Sequence, residues 1–161
     1  MTDPDGLYYL IEHQVWARLD AAGAATVGIT RLGIALAGEI YMCRVKRPET
    51  SIKQGDTLTV VELSKSIVAV KSPVSGRIAA INPALEDHPE LVHRDPYGAG
   101  WLARLVLSDW PCDLPQLVHG AAVAPAMQRH AWLHRQELVM GVESETVEPT
   151  VTPTPRQHPT Q

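Results

Sequence analysis

The 161-residue chain has no phenylalanine, only two cysteines and an aromatic content of 5%. Without Phe, the core has to be built from Val, Leu, Ile and Ala, with four Trp and four Tyr as the large side chains. Cys43 and Cys112 lie far apart and match no zinc-ligand spacing, which removes both a disulfide framework and a structural zinc site. No window approaches the ~18–20 consecutive apolar residues of a membrane-spanning helix. Nor is there a basic excess: 14 Lys plus Arg stand against 18 Asp plus Glu, a net charge of −4, which argues against a nucleic-acid partner. Met1 to Asp5 carry neither the basic region nor the apolar segment of a secretory signal. The expected compartment is therefore the reducing cytoplasm, with no membrane partner. No catalytic triad and no phosphate-binding glycine loop is present, so no catalytic or metal residue is assigned and no enzyme is expected.

What is present is ordinary globular composition, 45% apolar and 20% charged, in a length that suits one domain with an appendage. Residues 7–110 are dense in short alternating apolar runs. Thr57 to Leu63, Ile67 to Lys71, Arg77 to Ile81, Trp101 to Leu107 and Glu39 to Val45 read as strands, separated by Pro- and Gly-bearing turns. Many short strands at such spacing predict a mainly β barrel or sandwich. Thr30 is placed to cap a helix that Gly38 ends, and Asn82-Pro83 to open a short helix through Leu85. From Pro111 the texture is helical: Leu114 to His119, then about Ala126 to Met140, with Gly141 as the expected stop. The expected division is 1–110 as the main domain, 111–141 as a helical extension and 142–161, rich in Pro, Thr and Glu, as a disordered tail.

The segment Val61 to Gly76 holds the chemistry. Two strand-like runs flank Ser64-Lys65-Ser66, so Lys65 stands at or beside a hairpin tip. A tip presents its side chain to solvent while two strands hold it, which suits a lysine that is to be modified. It equally suits a solubilising turn lysine, and spacing alone leaves both open. The segment resembles the lipoylation site of the glycine cleavage system H-proteins. Glu62 stands three residues before Lys65 and Gly76 eleven after it, and the Pro73-Val74-Ser75-Gly76 turn matches as well. Further matches are Glu12-His13, Trp16, Val27 to Thr30, Asn82 to Asp87, Pro89 to Val92, Asp95 to Gly98 and Gly100 to Leu102, so that the resemblance spans about residues 7–110. It implies a barrel-sandwich hybrid, lipoate amide-linked to Lys65, a monomeric covalent carrier and a lipoate-attaching enzyme among its partners. Glu62 then reads either as a recognition feature for that enzyme or as an exposed strand residue. Gly76 reads as a turn residue for which positive φ is cheap.

Several residues depart from that family. Ser64, Ser66 and Ile67 replace the usual Val and Ala-Ala around the lysine, an Asp soon after it is missing, and His13 and Trp16 stand one residue further apart than expected. Arg44, Lys46, Arg47 and Lys53 face only Glu49 in a stretch usually acidic or neutral. This reads as a solvated strand end or as a docking face for an acidic partner or anionic cargo. Residues 111–161 are expected to have no counterpart. With the Tyr41-Met42-Cys43-Arg44 run, these features resemble a second branch, the lipoate-binding proteins of the heterodisulfide-reductase-like pathway of bacterial sulfur oxidation. That resemblance implies an arm carrying sulfur between components of the heterodisulfide-reductase-like complex and sulfurtransferases, which is the leading functional expectation. The rivals are glycine cleavage itself, passing an aminomethyl group between decarboxylase, aminomethyltransferase and dihydrolipoyl dehydrogenase, and a non-lipoylated interaction module. Cys43 alternates with Tyr41 and Val45 on a core-like face, whereas Cys112 could exchange with a dithiolane only by folding back near the arm; both are carried as possible redox residues. His130 and His134 share a helix face at i, i+4 and read as exposed polar residues.

Overall fold

The computed structural model describes residues 3–145. Thr30 caps α1 (Arg31–Ala37): its Oγ1 accepts from Gly33 N at 2.9 Å, and Gly38, at φ +99°, ends the helix. Asn82 likewise accepts from Ala84 N at 3.1 Å and opens a 3-10 turn over Pro83–Leu85. The strands are β1 (Tyr8–Leu10), β2 (Val15–Leu19), β3 (Ala24–Ile29), β4 (Met42–Val45), β5 (Ser51–Ile52), β6 (Thr57–Glu62), β7 (Ile67–Lys71), β8 (Gly76–Ile81) and β9 (Ala103–Leu107). Short helices follow, α2 (Leu91–Arg94) and α3 (Trp110–Asp113), and then the long α4 (Val123–Glu145).

All pairings are antiparallel. One six-stranded sheet runs in the order β1-β2-β3-β9-β8-β5, and a three-stranded sheet in the order β4-β6-β7. Val27, Ile78 and Leu105 of the larger sheet and Leu58 and Val61 of the smaller one meet in a single buried cluster. This is the mainly β, barrel-sandwich type of fold expected. The missing Phe is made good by Trp16 and Tyr9, both fully buried with Leu7, Val123 and Met127 in a second cluster. The Trp16 indole N–H donates to Ile29 O at 3.0 Å and Pro96 O at 3.1 Å, so this large side chain is buried without an orphaned donor. The longer spacing before Trp16 is accommodated at Gln14, which takes φ +54°. Its side chain donates to Ile11 O at 2.8 Å and accepts from Thr30 Oγ1 at 2.6 Å, which ties the odd backbone to the cap of α1.

The region after Pro111 differs from expectation in two places. Instead of a helix over Leu114 to His119 there is a 3-10 turn at Leu114–Gln116, after which Val118 pairs with Tyr9, N to O at 2.8 Å in both directions. The exposed edge of β1 captures these residues as a short strand, and this outweighs local helix propensity. Gly141 does not stop α4, which runs on to Glu145. A glycine inside a helix costs about 1 kcal/mol, and it ends one only where it takes the left-handed conformation. The rest of the tail, 146–161, lies outside the described residues. Trp110 packs edge-on to Tyr8 at 4.9 Å, and buried Asp113 accepts from Ser75 N at 2.6 Å and Ser75 Oγ at 2.9 Å. Residues 110–118 are thus fastened to β1 and to the turn before β8.

Candidate functional site

Lys65 is where the strand pattern places it. β6 and β7 pair from Val60 opposite Ala69 to Glu62 opposite Ile67, and Leu63 N closes the hairpin on Ser66 O at 2.8 Å. The tip is therefore Ser64-Lys65 alone. Among the described residues only Gln14 and Glu49 combine a side chain with positive φ, so the tip turns without a left-handed residue and needs neither Gly nor Asn. Inward, Val61 and Val70 are buried and β4 pairs along the far side of β6, so the hairpin is anchored along its length. The Lys65 side chain is exposed, and its Nζ has no ion-pair partner among the described residues. An uncompensated primary amine on an anchored tip fits acylation: nothing has to unfold or be stripped of a counter-ion for it to react.

Glu62 lies opposite both Met42 and Ile67, on the sheet face turned away from the core. Gly76 does not serve a positive-φ turn. It is the first residue of β8, and an added Cβ would overlap the Val106 carbonyl oxygen of β9. Its requirement is close approach of two backbones, a contact between residues distant in sequence.

The two cysteines are not brought together. Cys43 faces inward, its sulfur 3.4 Å from Thr59 Oγ1, and burial pushes its thiol above the ordinary range. Cys112 is exposed, and its hydrogen bond to Asp109 raises its thiol. It neighbours Asp113, which holds the 72–75 turn, so β7 separates it from the Lys65 tip, about 17 Å for five residues at ~3.3 Å each. His130 and His134 are half-buried rather than exposed, and the described residues contain no group of three side chains able to hold a metal.

Two features beside the tip are absent from the sequence reading. One is a cleft of about 290 Å³ between α1 and β7, lined by His13, Ile34, Val61, Val68 and His130 among others. The other is the exposure of Ile67 and Val68 next to Lys65. The second has a visible signal: Ile67 to Val70 is apolar at every position, although an alternating strand has only one face to bury.

A small β-scaffold that displays one unpaired lysine on a rigid hairpin is the architecture of a covalent-cofactor carrier, and the comparisons with known proteins agree. The family model of the glycine cleavage H-protein matches residues 7–130. Glycine cleavage system H protein 2 of Aquifex aeolicus (strain VF5) is 35% identical over 140 residues, covering 87% of this chain and 86% of the relative. The H protein of Marinobacter nauticus is 40% identical over 121 residues, covering 75% of this chain and 92% of its own. Among solved structures, the crystal structure of a glycine cleavage system H protein from Mycobacterium marinum superposes with a TM-score of 0.60 at 27% identity, covering 66% of this chain and 87% of that one. The chain belongs to the glycine cleavage H-protein family. Its members are carriers rather than catalysts, with lipoate attached covalently to a lysine. The family match also runs some twenty residues past the expected limit at residue 110, into the start of α4.

Proposed function

We propose that Lys65 is the lipoyl lysine and that the chain serves in the cytoplasm as an H-protein of glycine cleavage, carrying the aminomethyl group between partner enzymes. The observation that carries this reading is the placement of Lys65: an exposed, unpaired amine on a two-residue tip, inside the stretch matched by the family. Amide formation at Nζ removes the ammonium charge and takes the net charge from −4 to −5. Once attached, lipoate supplies a two-electron disulfide–dithiol couple and a thiol that accepts a substrate fragment. The chain's own part is mechanical. β6 and β7 hold the attachment atom outward, and tethering raises the local concentration of the group at a docked partner. Glu62, three residues before Lys65 on the outward face, is where the lipoate-attaching enzyme reads the hairpin. The other partners are the glycine decarboxylase, the aminomethyltransferase and dihydrolipoyl dehydrogenase.

A second reading is the sulfur carrier of a heterodisulfide-reductase-like system. What favours it is the tip itself: Ser64, Ser66 and exposed Ile67 stand where glycine cleavage proteins have small apolar residues, beside an exposed basic strand. The comparisons support glycine cleavage better. Two measurements decide. Intact mass of the native chain should show one lipoyl or octanoyl adduct that Lys65→Arg abolishes; no adduct, even after incubation with a lipoate ligase, leaves only an interaction module. The lipoylated chain should then sustain glycine turnover with the three cleavage enzymes. Inactivity there, with reduction and reoxidation by the sulfur-oxidising components, would transfer the assignment to the second reading.

A further inference from the structure

We infer that the outward face of the β4–β6–β7 sheet is the surface on which the arm's partner enzymes dock, and that the partner's side of this contact is acidic around an apolar centre. The inference rests on Lys65 being the lipoyl lysine.

The last row of the sheet before the tip is Met42, Glu62 and Ile67, one residue from each strand and all on the outward side; the next row is Arg44, Val60 and Ala69. A sheet packed on one side ordinarily shows polar residues to water on the other. Here Met42 is 38% and Ile67 68% exposed, Ala69 is exposed as well, and Glu62 is the one acid in these two rows. The face is therefore apolar next to the arm.

Away from the arm it becomes basic. Arg44 follows Met42 on β4, and Lys46 continues the ladder by donating its amide to Leu58 O at 3.1 Å. On β7 the next outward residue is Lys71, opposite Thr57. Arg44 and Lys46 are exposed and have no ion-pair partner among the described residues. The one acid of that stretch, Glu49, is taken by Arg77 at 2.7 Å.

Function dictates what covers this face. The attachment atom has to enter another protein's site, so the surface around the tip is occluded at each visit. The net charge of −4 repels an acidic protein at long range, while the local cations attract one in a single orientation; such an arrangement selects partners more than it adds affinity. Acylation of Lys65 removes the cation nearest the apolar row and sharpens the division of the face into an apolar and a basic end.

The test uses the full-length, isotope-labelled chain, unmodified and lipoylated, titrated with a short poly-glutamate peptide and mapped by amide shifts. The shifts should concentrate on β4, β6 and β7. They should weaken about tenfold in a variant carrying Arg44→Glu and Lys46→Glu, and persist in Lys53→Glu, a turn cation outside the face. Shifts centred on Arg129 and Arg135 of α4, absent shifts, or shifts indifferent to the double variant would overturn the proposal. With whichever enzyme set turns the arm over, the double variant should raise KM about tenfold at low salt, leave kcat unchanged, and converge on the parent at high salt. Met42→Ser with Ile67→Ser should raise KM at both salt concentrations. A fall in kcat at unchanged KM would count against docking. An unmodified Lys65 by intact mass defeats the carrier reading instead, and the peptide map still decides the face.

Discussion

Replacing Gly76 by Ala separates a structural role from a role in recognition by the lipoate-attaching enzyme. The added methyl would overlap the Val106 carbonyl oxygen, stand 3.0 Å from its carbon and 3.4 Å from Leu105 Cβ. The nearest of these atoms belong to the backbone of β9, which is held between β3 and β8 in the middle of the larger sheet. No side-chain rotation relieves such a contact, so a strand has to shift. Overpacking costs about 1–3 kcal/mol, and a clash against backbone belongs at the upper end, about 3 kcal/mol. Ala recovers about 0.5–1 kcal/mol by restricting the unfolded chain. The net loss is about 2 kcal/mol, which at a urea slope of about 2 kcal/mol/M lowers the midpoint by about 1 M. Urea unfolding followed by Trp fluorescence measures it, and intact mass on the same samples reports lipoylation. The folded variant should accept lipoate as the parent does. A midpoint unchanged within about 0.2 M, together with loss of the adduct, would refute the steric account and assign Gly76 to recognition.

Asp113→Ala strips the buried Ser75 N–H and Oγ of their shared acceptor and should cost about 3 kcal/mol in urea unfolding, with Asp113→Asn losing about half as much. If the Ala variant is as stable as the parent, residues 110–118 are not part of the cooperative unit. Burial, with Asp3 and Asp5 adding to it for Tyr9, holds the phenols of Tyr9 and Tyr97 above their ordinary value of 10.0. Their neutral forms therefore favour the fold fully below about pH 10, and that contribution is lost as pH rises further. Alkaline titration of tyrosinate absorbance should show these two of the four tyrosines ionising only together with unfolding. Native alkylation at neutral pH should label Cys112 and spare Cys43 until urea is added, as successive mass spectra would show. Cys112→Ser should leave reduction of the lipoyl group by dihydrolipoyl dehydrogenase at the parent rate, since β7 lies between that residue and the tip.

Local rules recovered what is local. The caps of α1, the Asn82-Pro83 turn, and β6 and β7 follow from alternation and from groups within four residues of each other. The position of Lys65 at a hairpin tip was legible for the same reason: it is a property of two adjacent strands and the link between them. The contacts that local rules do not reveal share a different cause. Gly76 meets Val106, Asp113 meets Ser75 and Val118 meets Tyr9, partners separated by some thirty residues or more that periodicity cannot name. Helix spacing says nothing of the neighbours of His130, and its place in the cleft with His13 and Val68 depends on α4 packing against the Ile11–His13 turn. The apolar face beside the arm was different again: its signal was in the sequence, in a strand with more apolar positions than one buried face can use.

The four lysines differ in what each would offer a lipoate-attaching enzyme. Lys71 is engaged, its Nζ donating to Thr57 Oγ1 at 3.1 Å within the sheet. Lys46 lies just beyond β4, exposed but not on a hairpin tip. Lys53 occupies a turn whose backbone is already committed, its amide donating to Asp56 Oδ2 at 3.0 Å and the neighbouring Gln54 bonded to Ser75 and Asp113. Only Lys65 combines a free amine with a two-residue link and with strands behind it that are paired up to that link. With Lys65 as the proposed lipoyl lysine, that combination would serve both attachment of the cofactor and its later delivery. On the proposed reading one hairpin geometry would suffice for every partner, and the face beside it, graded from apolar to basic, would be left to tell those partners apart.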